Sequence, residues 1–257
     1  MFFDAYSKAH WAANCAQNLN SQLTWYIKNG VRITVKEADS GKDVREVFME
    51  ADPLMPIGLA VGDIIRNLRG ALDAAVSAVY RRHDLSENQA YWPFGDSRTN
   101  LEASMRGNLI KVGLEKLSGF FLDEIQCTKA GNFPLWSLNQ IDRTNKHRTI
   151  TIVVTLAVIS NPSFYAFDGR YVSIGNRTVL KPGQNCKFFI PANAVFESSA
   201  DAKPTISVTF GPSEVFSGSD VIPTIKDLTH LVIEALKKFQ ISYVGAYLSM
   251  VHFTTLS

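Results

Sequence analysis

The residue types best suited to chemistry lie together in one short segment, DRTNKHR, which is followed at once by a run of β-branched residues. Its members are Asp142, Arg143, Thr144, Asn145, Lys146, His147 and Arg148. The imidazole of His147 could act as a general acid or base, because its proton moves near neutral pH. Helical spacing places Arg143 beside His147, and Asp142 beside Lys146. The segment therefore predicts an acid–base site at the end of a helix, with a purely structural helix cap as the alternative, since cations are favoured there by the helix dipole.

A second polar group lies in the segment RNLRGALD, on a strongly amphipathic helix. Arg69 is at the margin of the apolar stripe, and Asp73 follows one helical turn later. We interpret the pair as an ion pair or hydrogen-bond tie between neighbouring helices, because structural ion pairs are common. Anion binding by Arg69 is the functional alternative.

Helical elements must position both groups. The spacing of apolar residues, together with glycines, prolines and turn formers, predicts the following order. We expect a helix from Asp4 to about Tyr26, a β-hairpin at about 31–51, the strongest helix at about 57–82, a short helix opened by a capping box at Thr99–Glu102 and closed by Gly107, a helix from Val112 to about Ile125, and one of three turns beginning near Pro134.

The remainder of the chain is rich in β-formers and predicts an antiparallel meander. Strands are expected at Ile150–Ile159, Phe164–Phe167, Tyr171–Ile174, Cys186–Ile190 and Thr205–Phe210, with turns at Asp168-Gly169 and Lys181–Gln184. A final helix, with Pro223 near its first turn, has an apolar face that would cover the sheet. The fold class predicted is α+β: an N-terminal helical bundle with an inserted hairpin (1–148), then an antiparallel sheet with a C-terminal helix (149–257), which could form one compact domain.

Composition narrows the function classes. The 257 residues are 46% hydrophobic and 19% charged, with a net charge of +2, so a sizeable core is expected and a general attraction to nucleic acid is not. The three cysteines include no Cys-x-x-Cys pair, and the five histidines lack metal-ligand spacing, so neither a metal site nor a cofactor is expected. The N-terminus lacks the basic region of a signal peptide, which predicts a cytoplasmic protein without a membrane anchor.

The segments GDIIRNLRGALDAAV, WPFGDS and FPLWSLNQIDRTNKHRTITI resemble a family of uncharacterised bacterial proteins that are also found in mobile elements. The resemblance covers residues 5 to 155. It implies that the motif positions are Asn67, Arg69, Leu72, Asp73, Trp136, Asp142, Lys146, His147 and Arg148. Arg66 and Ala74 stand where the family usually has histidine, and Asn145 stands where it usually has aspartate. Chemistry carried by those histidines in relatives would be lost or moved in this chain.

The chain is also similar, more loosely, to the HEPN superfamily of helical nucleases and nucleotide-binding modules. Their nuclease signature has arginine and histidine separated by a longer gap than the three residues between Arg143 and His147. That similarity implies metal-independent RNA cleavage, with His147 as acid or base and Arg143 or Arg148 stabilising phosphate charge.

Two hypotheses follow. We favour a non-catalytic binding or interaction module, in which the two polar segments tie helices and sheet together and line a shallow pocket. The alternative is an RNA-directed nuclease, or a toxin or defence component, that uses His147. The candidate catalytic residues are His147, Asp142, Arg69 and Asp73, and the candidate ligand-binding residues are Asn67, Lys146, Arg148 and Arg143. The sequence does not identify a partner and leaves RNA, an anionic ligand and a homodimer open.

Packing considerations add a prediction about contacts. The helix that contains Asp73 and the helix that ends near Arg148 both have apolar stripes, so we expect them to lie side by side. At their seam, Asp73 should pair with Lys146 or Arg148, and Asp142 should pair with Arg69 or His147, because partly buried ions need partners.

Overall fold

The computed structural model describes residues 1–37, 44–110, 114–160, 163–165, 171–173, 176–180, 185–189, 205–212 and 214–254, and it has the predicted α+β fold. The main elements are α1 (Phe3–Asn29), β1 (Val31–Glu37), β2 (Val44–Ala51), α2 (Met55–Arg82), α3 (Arg98–Asn108), α4 (Phe133–Asn145), β3 (Ile152–Ser160), β4 (Ser163–Tyr165), β5 (Tyr171–Ser173), β6 (Asn176–Leu180), β7 (Asn185–Phe189), β8 (Thr205–Phe210) and α5 (Val221–Thr254).

The helical bundle forms because each long helix has one apolar stripe to bury. On α1 the stripe is built largely from alanines, including Ala5, Ala9 and Ala12, and their small side chains allow α2 to approach closely. The buried stripe of α2 consists mainly of isoleucine, valine, leucine and alanine residues. Among the described helices, none combines the length and the apolar character that a membrane crossing needs.

Helix α5 completes this bundle. It contacts α1, α2 and α4 as well as β8, so its apolar face is used mainly by helices and only partly by a strand. Phe239 lies at the centre of an aromatic cluster, with ring centroids 5.1 Å from Trp92, 5.4 Å from Phe120 and 5.7 Å from Phe121. The sequence predicted that α5 has an apolar face to bury. Which elements pack against this face depends on how the whole bundle is arranged.

The strands that the structure describes form three antiparallel sheets, not one meander. Strand β2 pairs with β1 in the predicted hairpin and with β7 on its other side. Strand β3 pairs with β6 and β8, and β4 pairs with β5. The predicted meander was therefore wrong, except that β4 and β5 pair as consecutive strands. Which strands pair depends on packing between parts of the chain that are far apart in sequence. Strand β6 was missed, and the two predicted turns lie outside the described residues.

Two local predictions also need correction. The N-cap of α3 is Ser97, whose hydroxyl accepts a hydrogen bond from the backbone N of Asn100, so Thr99 is already helical and the helix continues through Gly107. The segment expected as one helix from Val112 instead has a 3₁₀ turn at Glu115–Leu117 and a π-helical turn at Phe120–Ile125. Burial of two consecutive rings, Phe120 and Phe121, outweighs the α-helical preference there.

Helix α4 and the residues after it run antiparallel along α2, as the predicted side-by-side packing requires. Arg69 of α2 lies opposite Asn139, Gly62 opposite Asn145, and Gly58 opposite the backbone of Ile150. The absence of side chains at Gly58 and Gly62 lets the two segments approach closely.

This close approach predicts opposite effects for two glycines of the same helix. A Cβ at Gly58 would lie 2.6 Å from the carbonyl oxygen of Ile150, whereas a Cβ at Gly70 would meet nothing closer than the Lys8 side chain at 3.8 Å. We expect Gly58→Ala to lower the free energy of unfolding by about 1–3 kcal/mol, and Gly70→Ala to raise it by about 0.5–1 kcal/mol. Urea unfolding followed by circular dichroism measures the free energy of unfolding of both variants. Equal effects would contradict the register in which α2 packs against α4 and the residues after it.

Candidate functional site

Arg69 of α2 contacts three neighbouring groups. Its Nε donates a hydrogen bond to Oδ1 of Asn139 on α4, at 3.0 Å. One of its terminal nitrogens pairs with Asp73 one turn further along α2, and the guanidinium lies over the ring of Phe94, 4.6 Å from the centroid. Only 12% of the side chain is exposed. Arg69 therefore joins α2, α4 and the loop that contains Phe94.

The side chain of Asp73 anchors the same loop by binding a backbone group of the loop. Its Oδ1, which pairs with Arg69, also accepts a hydrogen bond from the backbone N of Trp92 at 2.8 Å. The indole of Trp92 is buried in the aromatic cluster and donates to Sγ of Cys127 at 3.2 Å. Burial raises the pKa of Cys127 to about 12, against the opposing effects of the Trp92 hydrogen bond and the Arg69 charge. Cys127 is thus a neutral structural thiol at physiological pH.

A polar cleft of about 240 Å³ opens beside this network. We use "polar cleft" for the space lined by Phe94, Gly95, Asp96, Asn100, Asn139, Gln140 and Arg143. The loop after Trp92 supplies the first three residues, α3 supplies the fourth and α4 supplies the last three. Three carboxamides, one carboxylate and one guanidinium make it a surface for hydrogen bonds and charge, with little apolar contact.

The loop side of the polar cleft is held by local bonds. The backbone N of Gly95 donates to the carbonyl of Cys127 at 3.1 Å, and a Cβ at this position would overlap the backbone N of Leu101. The indole of Trp136 on α4 donates to Oδ1 of Asp96 at 2.8 Å. Asn100 is bonded to the cap residue of its own helix. These contacts require a glycine at position 95 and set the position of the Asp96 carboxylate.

Arg143 is held less firmly than the other charged groups of its segment. Its side chain is exposed, and it has no hydrogen-bond or ion-pair partner within the part of the chain that the structure describes. Helical spacing places it one turn after Asn139 and Gln140, on the side of α4 that faces the polar cleft. It is therefore the cation available to a ligand there.

The rest of the DRTNKHR segment takes part in other contacts. Asp142 is 4% exposed, and its Oδ2 lies 3.4 Å from Nζ of Lys146. Arg148 pairs with the buried carboxylate of Glu214 at 2.9 Å, and the same oxygen accepts from the backbone N of Thr151. The Asp142–Lys146 pair is local to the last turn of α4, whereas Glu214 fastens the residues between α4 and β3 to the connection between β8 and α5.

His147 lies beyond the last residue of α4 and is exposed. Its backbone N donates to the carbonyl of Thr144, but within the described residues no group hydrogen bonds to its ring. No described carboxylate orients the imidazole as a catalytic base would require. The acid–base arrangement expected from the sequence is not formed in this structure.

Both predicted cross-helix pairings were wrong. Asp73 pairs with Arg69 rather than with Lys146 or Arg148, and Asp142 pairs with Lys146 rather than with Arg69 or His147. The antiparallel register explains this, because it places Arg69 opposite Asn139, about two helical turns before the end of α4. Asn67, another candidate ligand residue, donates to the carbonyl of Asp63 in its own helix.

Several residues of the site were not identified from the sequence. Asn139 and Gln140 carried no signal of their own beyond lying in the same helix as Arg143. The loop WPFGDS entered the sequence analysis only as part of the family resemblance, although it supplies both Phe94 and Asp96 to the polar cleft. Glu214 is far from Arg148 in the chain, and nothing in its local sequence marks it as an ion-pair partner.

The described residues contain no group of histidine, cysteine, aspartate or glutamate side chains able to hold a metal ion. Comparison with known proteins finds no matching family model, no matching curated protein and no matching solved structure. The resemblance to the uncharacterised bacterial family and to HEPN proteins therefore stays a prediction.

The Arg69–Asp73 network can be tested by a double-mutant cycle. Arg69→Met and Asp73→Ala should each lower the free energy of unfolding by about 1–3 kcal/mol, because each leaves partly buried polar groups without a partner. The double variant should lose less than the sum, by about 0.5–3 kcal/mol, since the shared contact is removed only once. As a control, His147→Ala should change stability by no more than about 0.5 kcal/mol. Strict additivity would show that the two side chains do not interact.

Proposed function

We propose that this protein is a non-catalytic binding module and that the polar cleft is its binding site. The observation that carries this proposal is a contrast within the polar cleft. Its walls are fixed by internal hydrogen bonds, while the guanidinium of Arg143 has no partner in the described part of the chain. A wall that is already ordered loses little entropy when a ligand binds, and an unpaired cation contributes a charge-assisted hydrogen bond.

The internal bonds also determine which atoms a ligand can use. Arg69 occupies Oδ1 of Asn139, so the amide NH₂ of Asn139 is available as a donor. Trp136 occupies Oδ1 of Asp96, so the second carboxylate oxygen is available as an acceptor. The residues that hold the helices together therefore also orient the groups that line the polar cleft.

A binding role fits the lining better than a catalytic one. Of the described residues that line the polar cleft, none is a histidine, cysteine or serine, so the usual nucleophiles and the usual neutral-pH base are missing from that set. His147 is not among them. Arg69 and Asp73, which the sequence offered as catalytic candidates, are occupied by each other and by neighbouring groups.

The test is a thermal-shift screen of small polar and charged compounds. A ligand of the polar cleft should raise the melting temperature of the unchanged protein, because it binds only the folded state. The shift should disappear in Arg143→Gln and persist in Arg66→Gln, which removes an exposed arginine of α2 that does not line the polar cleft. Equal shifts in both variants, or no shift with any compound, would contradict the proposal.

The alternative function, RNA cleavage, is favoured by one feature: His147 is exposed and lies between Lys146 and Arg148, where a polymer could reach it. Against it, both cations are already paired with carboxylates, Asp142 and Glu214. We expect total RNA and structured RNA to remain intact after incubation with the unchanged protein, as they should with His147→Ala. Cleavage by the unchanged protein that His147→Ala abolishes would overturn the binding proposal in favour of a nuclease.

A further inference from the structure

Two opposite charges line the polar cleft without pairing with each other. Asp96 lies on its loop side and Arg143 on its α4 side. Asp96 has the indole of Trp136 as its hydrogen-bond partner, and within the described residues Arg143 has none. Arginine and aspartate that border a common space usually form an ion pair when they can reach each other. Here the space between them is left open.

The rest of the lining is suited to a hydrophilic ligand. Asn100, Asn139 and Gln140 add carboxamides to the two charges, and Phe94 is the one hydrophobic residue among the described residues of the lining. One face of the Phe94 ring is already covered by the Arg69 guanidinium. A flat aromatic ligand would therefore find little surface for stacking, whereas a compact polar ligand would find several donors and acceptors.

The size of the polar cleft limits the ligand further. Its volume of about 240 Å³ is below the range of about 300–1,000 Å³ that holds drug-sized ligands. A molecule of a few non-hydrogen atoms fits this space. Larger cofactors, dinucleotides or oligonucleotides could enter with only a terminal group.

We propose that the polar cleft binds a small zwitterion that carries a carboxylate and an ammonium group, such as a free amino acid. This inference rests on the proposed binding function and adds the ligand class. The ligand carboxylate pairs with the guanidinium of Arg143, whose planar donors match a carboxylate in bidentate geometry. The ligand ammonium donates to the free oxygen of Asp96, and the carboxamides bind the remaining polar atoms.

Charge balance favours this class over a simple anion or cation. A phosphate or dicarboxylate would meet the Asp96 carboxylate at close range, and a simple amine would meet the Arg143 guanidinium. In both cases like charges would oppose each other across the polar cleft, which weakens binding. A zwitterion presents one charge of each sign, as the lining does.

Isothermal titration calorimetry with the full chain tests the inference. The probes are the standard L-amino acids, β-alanine and γ-aminobutyrate, each compared with its analogue lacking the amino group and its analogue lacking the carboxylate. We expect saturable binding of at least one amino acid, and a loss of about tenfold or more in affinity when either charged group is absent. The spacing of the two charges in the tightest ligand reports the distance that Asp96 and Arg143 span.

Three variants assign the contacts. Arg143→Gln should reduce affinity for the amino acid about tenfold or more and leave binding of the amine analogue unchanged or stronger. Asp96→Asn, which keeps an acceptor oxygen for Trp136, should reduce affinity for the amino acid and leave the carboxylate analogue unchanged or stronger. Arg66→Gln should bind like the unchanged protein. Melting curves of all variants confirm that each is folded before titration.

The outcomes separate this inference from the proposed function. If the carboxylate analogue binds as tightly as the amino acid, and only Arg143→Gln weakens it, the polar cleft is a carboxylate site and the zwitterion inference is overturned while the binding function stands. If neutral polar compounds alone bind, and Arg143→Gln abolishes their binding, the zwitterion inference is again overturned and the binding function again stands. If nothing in the titrations or in the thermal-shift screen binds, both proposals are overturned.

Discussion

The Arg69–Asp73 ion pair is the interaction on which the site depends. A guanidinium that is largely removed from water has to be satisfied on several sides, or its desolvation destabilises the fold. Arg69 meets this requirement with a carboxylate from its own helix, an amide oxygen from α4 and an aromatic ring from the loop after Trp92. Because Asp73 also binds the backbone of that loop, one pair of side chains fixes three segments at once.

The core and the polar cleft are connected through the loop between α2 and α3. Trp92 turns inward, where its indole packs against Phe239 of α5 and bonds to Cys127. Two residues later, Phe94 lines the polar cleft, and Asp96 follows it. The position of this loop is set by the buried ring of Trp92 and by the hydrogen bond from the backbone N of Trp92 to Asp73. A change in the packing of α5 would therefore shift the residues that line the polar cleft as well.

The DRTNKHR segment divides its charged residues between two tasks. Asp142 and Lys146 pair with each other at the end of α4, and Arg148 pairs with Glu214, which connects the segment after α4 with the one before α5. Arg143 faces the polar cleft instead. Helical geometry accounts for the division, since adjacent positions on α4 point in directions about 100° apart. A run of charges that looks like one motif in the sequence is thus distributed over different faces of the fold.

What the sequence determined by itself was the local structure. Helices α1 and α2, the hairpin of β1 and β2, and the α+β class follow from apolar periodicity and turn formers, which act between residues close in the chain. The partners were decided only by the tertiary structure. The pairing of β7 with β2, the salt bridge of Arg148 with Glu214, and the placement of Asp96 opposite Arg143 all join residues far apart in sequence. Such contacts depend on how complete elements pack, and the antiparallel register of α2 and α4 placed Arg69 against Asn139 instead of the residues that the local pattern favoured.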